Sequence, residues 1–342
     1  MTWILPLAEV EPKDGPLVGG KCAALATLAR AGVRVPETVC VTTGAYQDYI
    51  SSTGLRERIL LELSRKSFED MRWEEMWDAS LRIRNLFLNK RMPDPLARSL
   101  GDRLETHFGA QPVVVRSSAT AEDSDTASFA GLHESFVNVQ GTGSMLEHIR
   151  LVWASLWSDA ALLYRQELGL DVESSTMAVA VQSLVLGERS GVVFSRSPNN
   201  SSEAVIEAVY GLNQGLVDGT VEPDRWTVDR ASARVTGTPP AERMESVRPA
   251  PEGTRLEPLP SELAASPPLA EGEVLVVLDQ ALKLETLFRA PQDVEWTWEE
   301  GGLVVLQSRP ITTLPGADPD DQRRWYLSLR TVSYTHLRAH ET

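Results

Sequence analysis

Apolar residues recur at three- and four-residue spacing through the first half of the chain, then gather into short β-branched runs through the second. The first pattern builds helices that bury one stripe; the second builds strands. ERILLEL and FEDMRWEEMWDASLRIRNLFL make residues 55–109 helical, with Asp94-Pro95 as an N-cap followed by proline at the first helical position. GGKCAALATLARAG predicts a helix over 19–32, with Leu25, Leu28 and Ala29 on one face and Gly32 at its end. A strand at Thr38–Val41 leads into a Thr-capped helix, Pro112 to Arg116 forms a strand, and one helix spans 144–167 with Leu151, Trp153, Leu156 and Trp157 buried. Strands follow at 176–185, 190–198 and 205–212, then a hairpin in DRWTVDRASARVTG. Residues 239–271 hold eight prolines and little pattern, which reads as loop or linker. A helix over 273–288 and the hairpin DVEWTWEEGGLVVLQSRP, turning at Glu299 to Gly302, complete the series. No 20–50-residue repeat is visible. This order predicts an α+β chain with two lobes, as does a length of 342 residues, which exceeds the usual single core.

Composition narrows the chemistry. Hydrophobic residues at 42% and charged ones at 24% are ordinary for a folded protein, and no apolar run reaches the ~20 residues a membrane helix needs. The N-terminus lacks a basic leader segment. Cys22 and Cys40 alone give no disulfide framework and fit a reducing cytoplasm, while five scattered histidines offer no zinc spacing. A net charge of −15 excludes a general nucleic-acid or membrane surface. If such a chain binds an anion, a few local cations must reverse the field.

Gly15 to Lys21 matches a phosphate loop until its last position, where Cys22 stands in place of Ser or Thr. A thiol is a poor ligand for a hard cation, and EVEPKD is no buried strand, so the phosphate-loop reading is disfavoured. Lys21 still lies in the first turn of a helix, either as an anion ligand or as a solvent-facing lysine beside a tight turn. Arg116 ends a buried strand ahead of a small-residue loop. It suits bidentate phosphate binding, with Ser117, Ser118 and Thr120 as further donors, or it pairs with Glu122 or Asp123 in a structural turn. Gln182 sits mid-strand and either satisfies a buried backbone group or lines an adenine pocket. Glu207, in an apolar strand, faces a ribose hydroxyl or a lysine. In the closing hairpin Glu295 and Gln307 are candidate cross-strand neighbours and magnesium ligands, with Arg309 on the same face within reach of a phosphate; the alternative is a salt-bridged surface, against which Trp296, Val304 and Val305 suggest packing. Together these groups supply what a triphosphate with magnesium needs.

VGGK, VPETVCVTTGAY, VVVRSSATAEDSDTASFAG, VVFSRSP, IEAVYGL with VEPDRW, and DVEWTW with LQSRPITTL occur in this order. The set resembles the N-terminal nucleotide-binding domain shared by phosphoenolpyruvate synthase, pyruvate phosphate dikinase and rifamycin phosphotransferase, over about residues 3–314. The resemblance implies an ATP-grasp fold, two α+β lobes with the nucleotide cleft between them, taken here as 1–187 and 188–314. It implies ATP and Mg2+ as cofactors: Lys21, Arg116 and Arg309 on the phosphates, Ser117, Ser118, Ala119 and Gly131 in the covering loop, Gln182 at adenine, Glu207 at ribose, and Glu295 with Gln307 on magnesium. It also implies partners. A histidine on a separate carrier domain takes the β-phosphoryl as AMP leaves, and a further domain binds the small acceptor, pyruvate or another molecule.

Three departures stand out. The family often reads GLGE after IEA, where this chain has Gly211-Leu212-Asn213-Gln214, a lost carboxylate that weakens ribose or metal binding. No carrier signature surrounds His107, His133, His148, His336 or His340. Within 315–342, RRWYLSLR resembles the opening strand of a next domain, and VSYTHLRAHET resembles read-through from a cloning adaptor; that segment is expected to be truncated and artificial. Two other functions stay open on the sequence: a phosphate-loop ATPase, and a non-catalytic nucleotide-sensing or interaction fragment.

Overall fold

The computed structural model describes residues 2–119, 134–172, 175–239 and 241–311, with the backbone of two short strands at 123–124 and 127–128. Two compact units emerge: Met1–Arg30 with Glu37–Leu184, and Ala31–Pro36 with the chain from Val185 onward. Each combines helices with an antiparallel sheet, so the α+β class holds.

The first unit contains strands β1 (Ile4–Pro6), β2 (Thr38–Val41), β3 (Val113–Ala119), the short pair β4 (Asp123–Ser124) and β5 (Ala127–Ser128), β6 (Ser135–Val139) and β7 (Met177–Ser183). Five of them form one sheet in the order β1-β2-β7-β3-β6, every neighbouring pair antiparallel. Its helices are α1 (Gly15–Arg30), α2 (Thr43–Ser52), α3 (Leu55–Leu63), α4 (Trp73–Asn89), α5 (Asp94–Phe108), α6 (Thr142–Ser155) and α7 (Asp159–Glu167). Aromatic side chains from three of these helices meet in the core. Tyr49 stacks on Trp153 with ring centroids 5.2 Å apart, and Phe87 packs beside Tyr49. The Trp157 indole donates to the Tyr46 hydroxyl at 3.0 Å.

The second unit contains β8 (Arg189–Phe194), β9 (Glu203–Tyr210), β10 (Asp224–Asp229), β11 (Arg234–Gly237), β12 (Glu245–Pro249), β13 (Thr254–Pro258), β14 (Gln292–Glu299) and β15 (Gly302–Pro310). Six form an antiparallel sheet ordered β11-β10-β9-β8-β14-β15, and β12 with β13 makes a separate ribbon. Two single-turn helices, α8 (Gln214–Val217) and α9 (Ser261–Ala264), precede the long α10 (Glu271–Phe288). α10 is tied down at both ends. Glu273 in its first turn takes Arg189 at 2.8 Å, and Glu285 near its end accepts from Ser195, Arg196 and Arg230.

Several local expectations change. The helix expected over 144–167 is two, broken where Ser158 caps α7 by accepting the Ala161 amide. Leu151 is half-buried rather than in the core. The 239–271 linker carries the β12–β13 ribbon and α9. Thr42 occupies the N-cap of α2, but its hydroxyl donates to the Thr2 carbonyl instead of capping. Pro93, not Asp94, is the N-cap of α5. The third segment, 315–342, lies outside the described residues. No helix among the described residues is long and apolar enough to cross a membrane.

Candidate functional site

In the first unit the expected phosphate contacts gather where β3 meets the start of α1. The turn that opens α1 depends on Gly19, whose φ of 75° and ψ of 170° break the helical run. Its missing side chain lets the α1 backbone lie directly on Ser118. The Ser118 hydroxyl then serves both partners, donating to the Val18 carbonyl at 2.7 Å and accepting the Cys22 amide at 3.2 Å. One turn of helix is thereby fixed to the end of β3, and Lys21 rides on it. Its ammonium donates to the Ser117 hydroxyl at 3.3 Å, next in sequence to Arg116. The strand expected to end at Arg116 runs on to Ala119, so Arg116 stands mid-strand. A lysine on a helix turn beside a strand arginine can still hold an anion.

Arg116 is half-buried and pairs in register with Ala180 of β7 and Ser135 of β6. Ser117, Ser118 and Ala119 are buried in the last residues of β3. Gln182 lies in the middle strand of the sheet, opposite Thr38 and Val114, and its amide donates to the Thr38 hydroxyl at 3.4 Å. Gly131 and Thr120 lie outside the described residues. Cys22 is fully buried, as the phosphate-loop reading would not have it, and β1 is separated from α1 by two 3-10 turns.

In the second unit the strand register sets out the other group. Gln307 pairs with Glu295, Glu295 with Val192, Val192 with Glu207, and Glu207 with Arg225. Directly paired residues of antiparallel strands share a face, so these five form one row across β15, β14, β8, β9 and β10. Two residues along, and therefore on the same face, Arg309 pairs with Asp293. A bulge creates this alignment. Counted from its closing pair, Glu299 and Gly302, a regular hairpin would set Glu295 opposite Leu306; the register shift after Glu295 leaves Leu306 unmatched and brings Gln307 and Arg309 across from Glu295 and Asp293. Trp296, Val304 and Val305 are buried, so the hairpin is packed.

Charges on this face are closely set. Glu207 is ion-paired with Arg225 on the adjacent strand. The Arg309 guanidinium holds Asp293 Oδ2 at 2.6 and 2.8 Å. Burial pushes the Asp293 carboxyl above the usual carboxylate range; Arg309 pulls it back, while the charges of Glu295 and Glu207 add to the rise. Burial likewise raises Asp218, eased by a hydrogen bond with Gln214 and reinforced by Glu295. By register the face sets three carboxylates, Glu207, Asp293 and Glu295, beside two arginines, Arg225 and Arg309.

The donor set suits a hard cation. Asn213 donates its side-chain amide to Glu295 Oε2 at 3.4 Å. The carbonyl oxygens of Asn213 and Gln307 are buried without a hydrogen-bond partner. Beside Glu295 they offer oxygen ligands of the kind magnesium prefers. No cluster of three or more His, Cys, Asp or Glu residues among the described residues forms a metal cage. A cation here would thus rest on amides and on its ligand's own oxygens as much as on carboxylates.

Lys21, Ser117 and Ser118 meet in the first unit, with Arg116 beside Ser117; Glu207, Glu295, Gln307 and Arg309 share one sheet face in the second. Gln182 lies on the neighbouring strand β7, two residues from Ala180, the partner of Arg116, and so on the same sheet face as Arg116. Sequence reasoning missed Asp293, whose only signal is its two-residue spacing from Glu295. It also passed over Gly19, visible as the first of a glycine pair, and treated Asn213 only as a departure.

Known proteins give the face a family. The model of the pyruvate phosphate dikinase AMP/ATP-binding domain matches residues 15–325. A rifampicin phosphotransferase of Streptomyces sviceus is 36% identical over 324 residues, covering 94% of this chain and 37% of that protein. A probable phosphoenolpyruvate synthase of Methanocaldococcus jannaschii is 34% identical, covering 92% and 27%. A phosphoenolpyruvate synthase of Aeropyrum pernix is 34% identical, covering 90% and 42%. The chain thus spans between a quarter and under half the length of these relatives. On that match, the chain belongs to the pyruvate phosphate dikinase AMP/ATP-binding domain family.

Proposed function

We propose that this chain binds Mg-ATP in an ATP-grasp manner and serves a cytoplasmic phosphotransferase as its nucleotide-binding part. In the reaction proposed, a histidine on a separate carrier domain attacks the β-phosphorus, the bond to the α–β bridging oxygen breaks, and AMP leaves. The histidine then carries the β,γ-pyrophosphoryl group; its γ-phosphate is released to water, and the remaining β-phosphoryl is delivered to pyruvate or another small acceptor held by a further domain. The longer relatives, named as phosphotransferases and phosphoenolpyruvate synthases, support this reading.

The observation that carries it is the paired Glu295 and Gln307, two residues from the Asp293–Arg309 ion pair. When bound, magnesium neutralises phosphate charge and orients the leaving oxygens. Glu295 and Gln307 would hold it. Lys21, Arg116 and Arg309 would bind phosphate oxygens and lower their mutual repulsion, the fixed-dipole stabilisation that phosphoryl transfer requires. Gln182 would face adenine and Glu207 the ribose, with Ser117 to Ala119 and Gly131 covering the phosphates.

Calorimetric titration of Mg-ATP tests the reading. Lys21→Ala, Arg116→Ala and Arg309→Ala should each abolish measurable binding while circular dichroism stays that of the parent chain. Folded variants with unchanged affinity would remove the assignment. A parent that binds Mg-ATP yet never labels an added carrier domain from a relative would favour the non-catalytic alternative.

A further inference from the structure

We infer that Asn213 is a third side-chain oxygen ligand of the divalent cation, beside Glu295 and Gln307. The inference rests on the Mg-ATP reading above and adds a residue to its metal site.

Asn213 occupies the N-cap of α8, a position where asparagine normally uses its side-chain oxygen to accept a helix amide. Here it makes no such bond. The backbone carbonyl of Asn213 takes the amides of Leu216 and Val217 instead, which fixes the turn. On the upstream side, Gly211 at a φ of 85° and the Leu212 amide bonded to the Val247 carbonyl hold the chain. The side chain is therefore aimed by its backbone, and only 7% of the residue is exposed.

Within that pocket the two ends of the amide behave differently. The nitrogen donates to Glu295, while the oxygen has no hydrogen-bond partner. Gln307, 4% exposed and paired with Glu295 from the other side, repeats the arrangement, since its oxygen is also unpartnered. Leaving one buried carbonyl unmet costs about 1–3 kcal/mol, so two around one carboxylate call for a shared partner. Two neutral oxygens and one carboxylate oxygen define a hard-cation set of low charge. Gln214 is excluded from it, because its side-chain oxygen accepts from Thr254.

Low ligand charge has a consequence. With a single formal negative charge among the three ligands, the free cation should bind weakly, and tight binding should require the phosphate oxygens of ATP. Manganese, followed by its paramagnetic resonance signal, reads this directly without turnover. Asn213→Ala should weaken manganese affinity in the presence of ATP by tenfold or more, with ATP affinity in chelator unchanged. Asn213→Asp should strengthen binding of manganese alone and reduce its dependence on ATP, because the added carboxylate supplies charge. If the asparagine merely steadied Glu295 through its amide, aspartate would repel Glu295 and weaken binding, which would overturn the inference. Wild-type manganese affinity in Asn213→Ala, with Glu295→Gln defective, would overturn it too and leave the parent reading intact. Were Glu295→Gln and Gln307→Ala also without effect, the magnesium assignment itself would fall.

Discussion

A Cβ placed on Gly19 would lie 1.9 Å from the carbonyl oxygen of Ser118. The backbone of α1 and the end of β3 are therefore in direct contact, and Lys21 owes its place to that contact. Gly19→Ala must meet both the collision and a backbone conformation that L-residues avoid, which together should cost at least about 3 kcal/mol. Gly32 provides the comparison. Its φ is 78°, yet nothing lies within 4 Å of a Cβ built there, so Gly32→Ala should cost only about 1–2 kcal/mol. Urea unfolding of the two variants tests the pair, and equal losses would show that the contact carries no energy.

Ser118 closes the same junction from the strand side. Its hydroxyl satisfies two buried backbone groups of α1, the Val18 carbonyl and the Cys22 amide. Ser118→Ala should destabilise the chain by about 1–3 kcal/mol, because neither group can reach water. Mg-ATP affinity measured on the folded fraction should fall as well, since the turn bearing Lys21 loses its tie. Retained affinity would separate the junction from nucleotide binding.

How much of this was legible depends on what sets each feature. Thr38–Val41 and the helical stretch from 55 to 109 follow from local periodicity, and both are present. The break at Ser158 was masked by an apolar pattern that runs on through both helices, although Ser158-Asp159 is itself a capping signal. The β12–β13 ribbon escaped because its pairing is backbone-driven: of its ten residues only Ser246 and Val247 are buried, leaving no alternation to read. The bulge at Leu306 has no glycine to mark it. Yet it decides which face Gln307 and Arg309 share, since a slip of one residue reverses every side chain. Candidate residues were recognisable by type and order. Their hydrogen-bond partners, and the unmet oxygens of Asn213 and Gln307, depend on contacts between strands distant in sequence.

Arg309 and Asp293 give a cycle. Asp293 is almost wholly buried, with Arg309 as its ion-pair partner. Arg309→Ala leaves that carboxylate without the guanidinium and should cost about 3–5 kcal/mol. Arg309→Met combined with Asp293→Asn removes both charges and should recover most of the loss. Mg-ATP binding should stay absent in both, because the phosphate ligand is gone. Denaturation and calorimetry on the same samples read the two effects apart, and a double variant that binds ATP would sink the phosphate role.

Cys22→Ser tests the phosphate-loop alternative. The residue is fully buried, its amide is committed to Ser118, and its thiol lies against that of Cys40. A hydroxyl there cannot reach a solvent-side cation, so magnesium-dependent ATP hydrolysis should not rise above the parent rate. A gain of tenfold would revive that alternative.

Glu285 predicts an acid-sensitive clamp on α10. Burial alone would raise its carboxyl, but the Ser195 hydroxyl at 2.6 Å, with Arg196 and Arg230 at 2.9 and 2.7 Å, outweighs that and holds it below the ordinary value. A folded-state value below the unfolded one means the unfolded chain binds the proton more readily. The contribution is thus fully present above the unfolded value of about 4.3 and is lost as pH falls through the lower folded value. Glu285→Gln should therefore lower stability by about 1–3 kcal/mol at pH 7, the range for hydrogen bonds to charged groups. The gap between variant and parent should narrow steadily below about pH 4, where the parent glutamate also becomes neutral. Urea midpoints from pH 3 to pH 7 measure it, and a gap that stayed constant across that range would mean Glu285 holds α10 by packing rather than by charge.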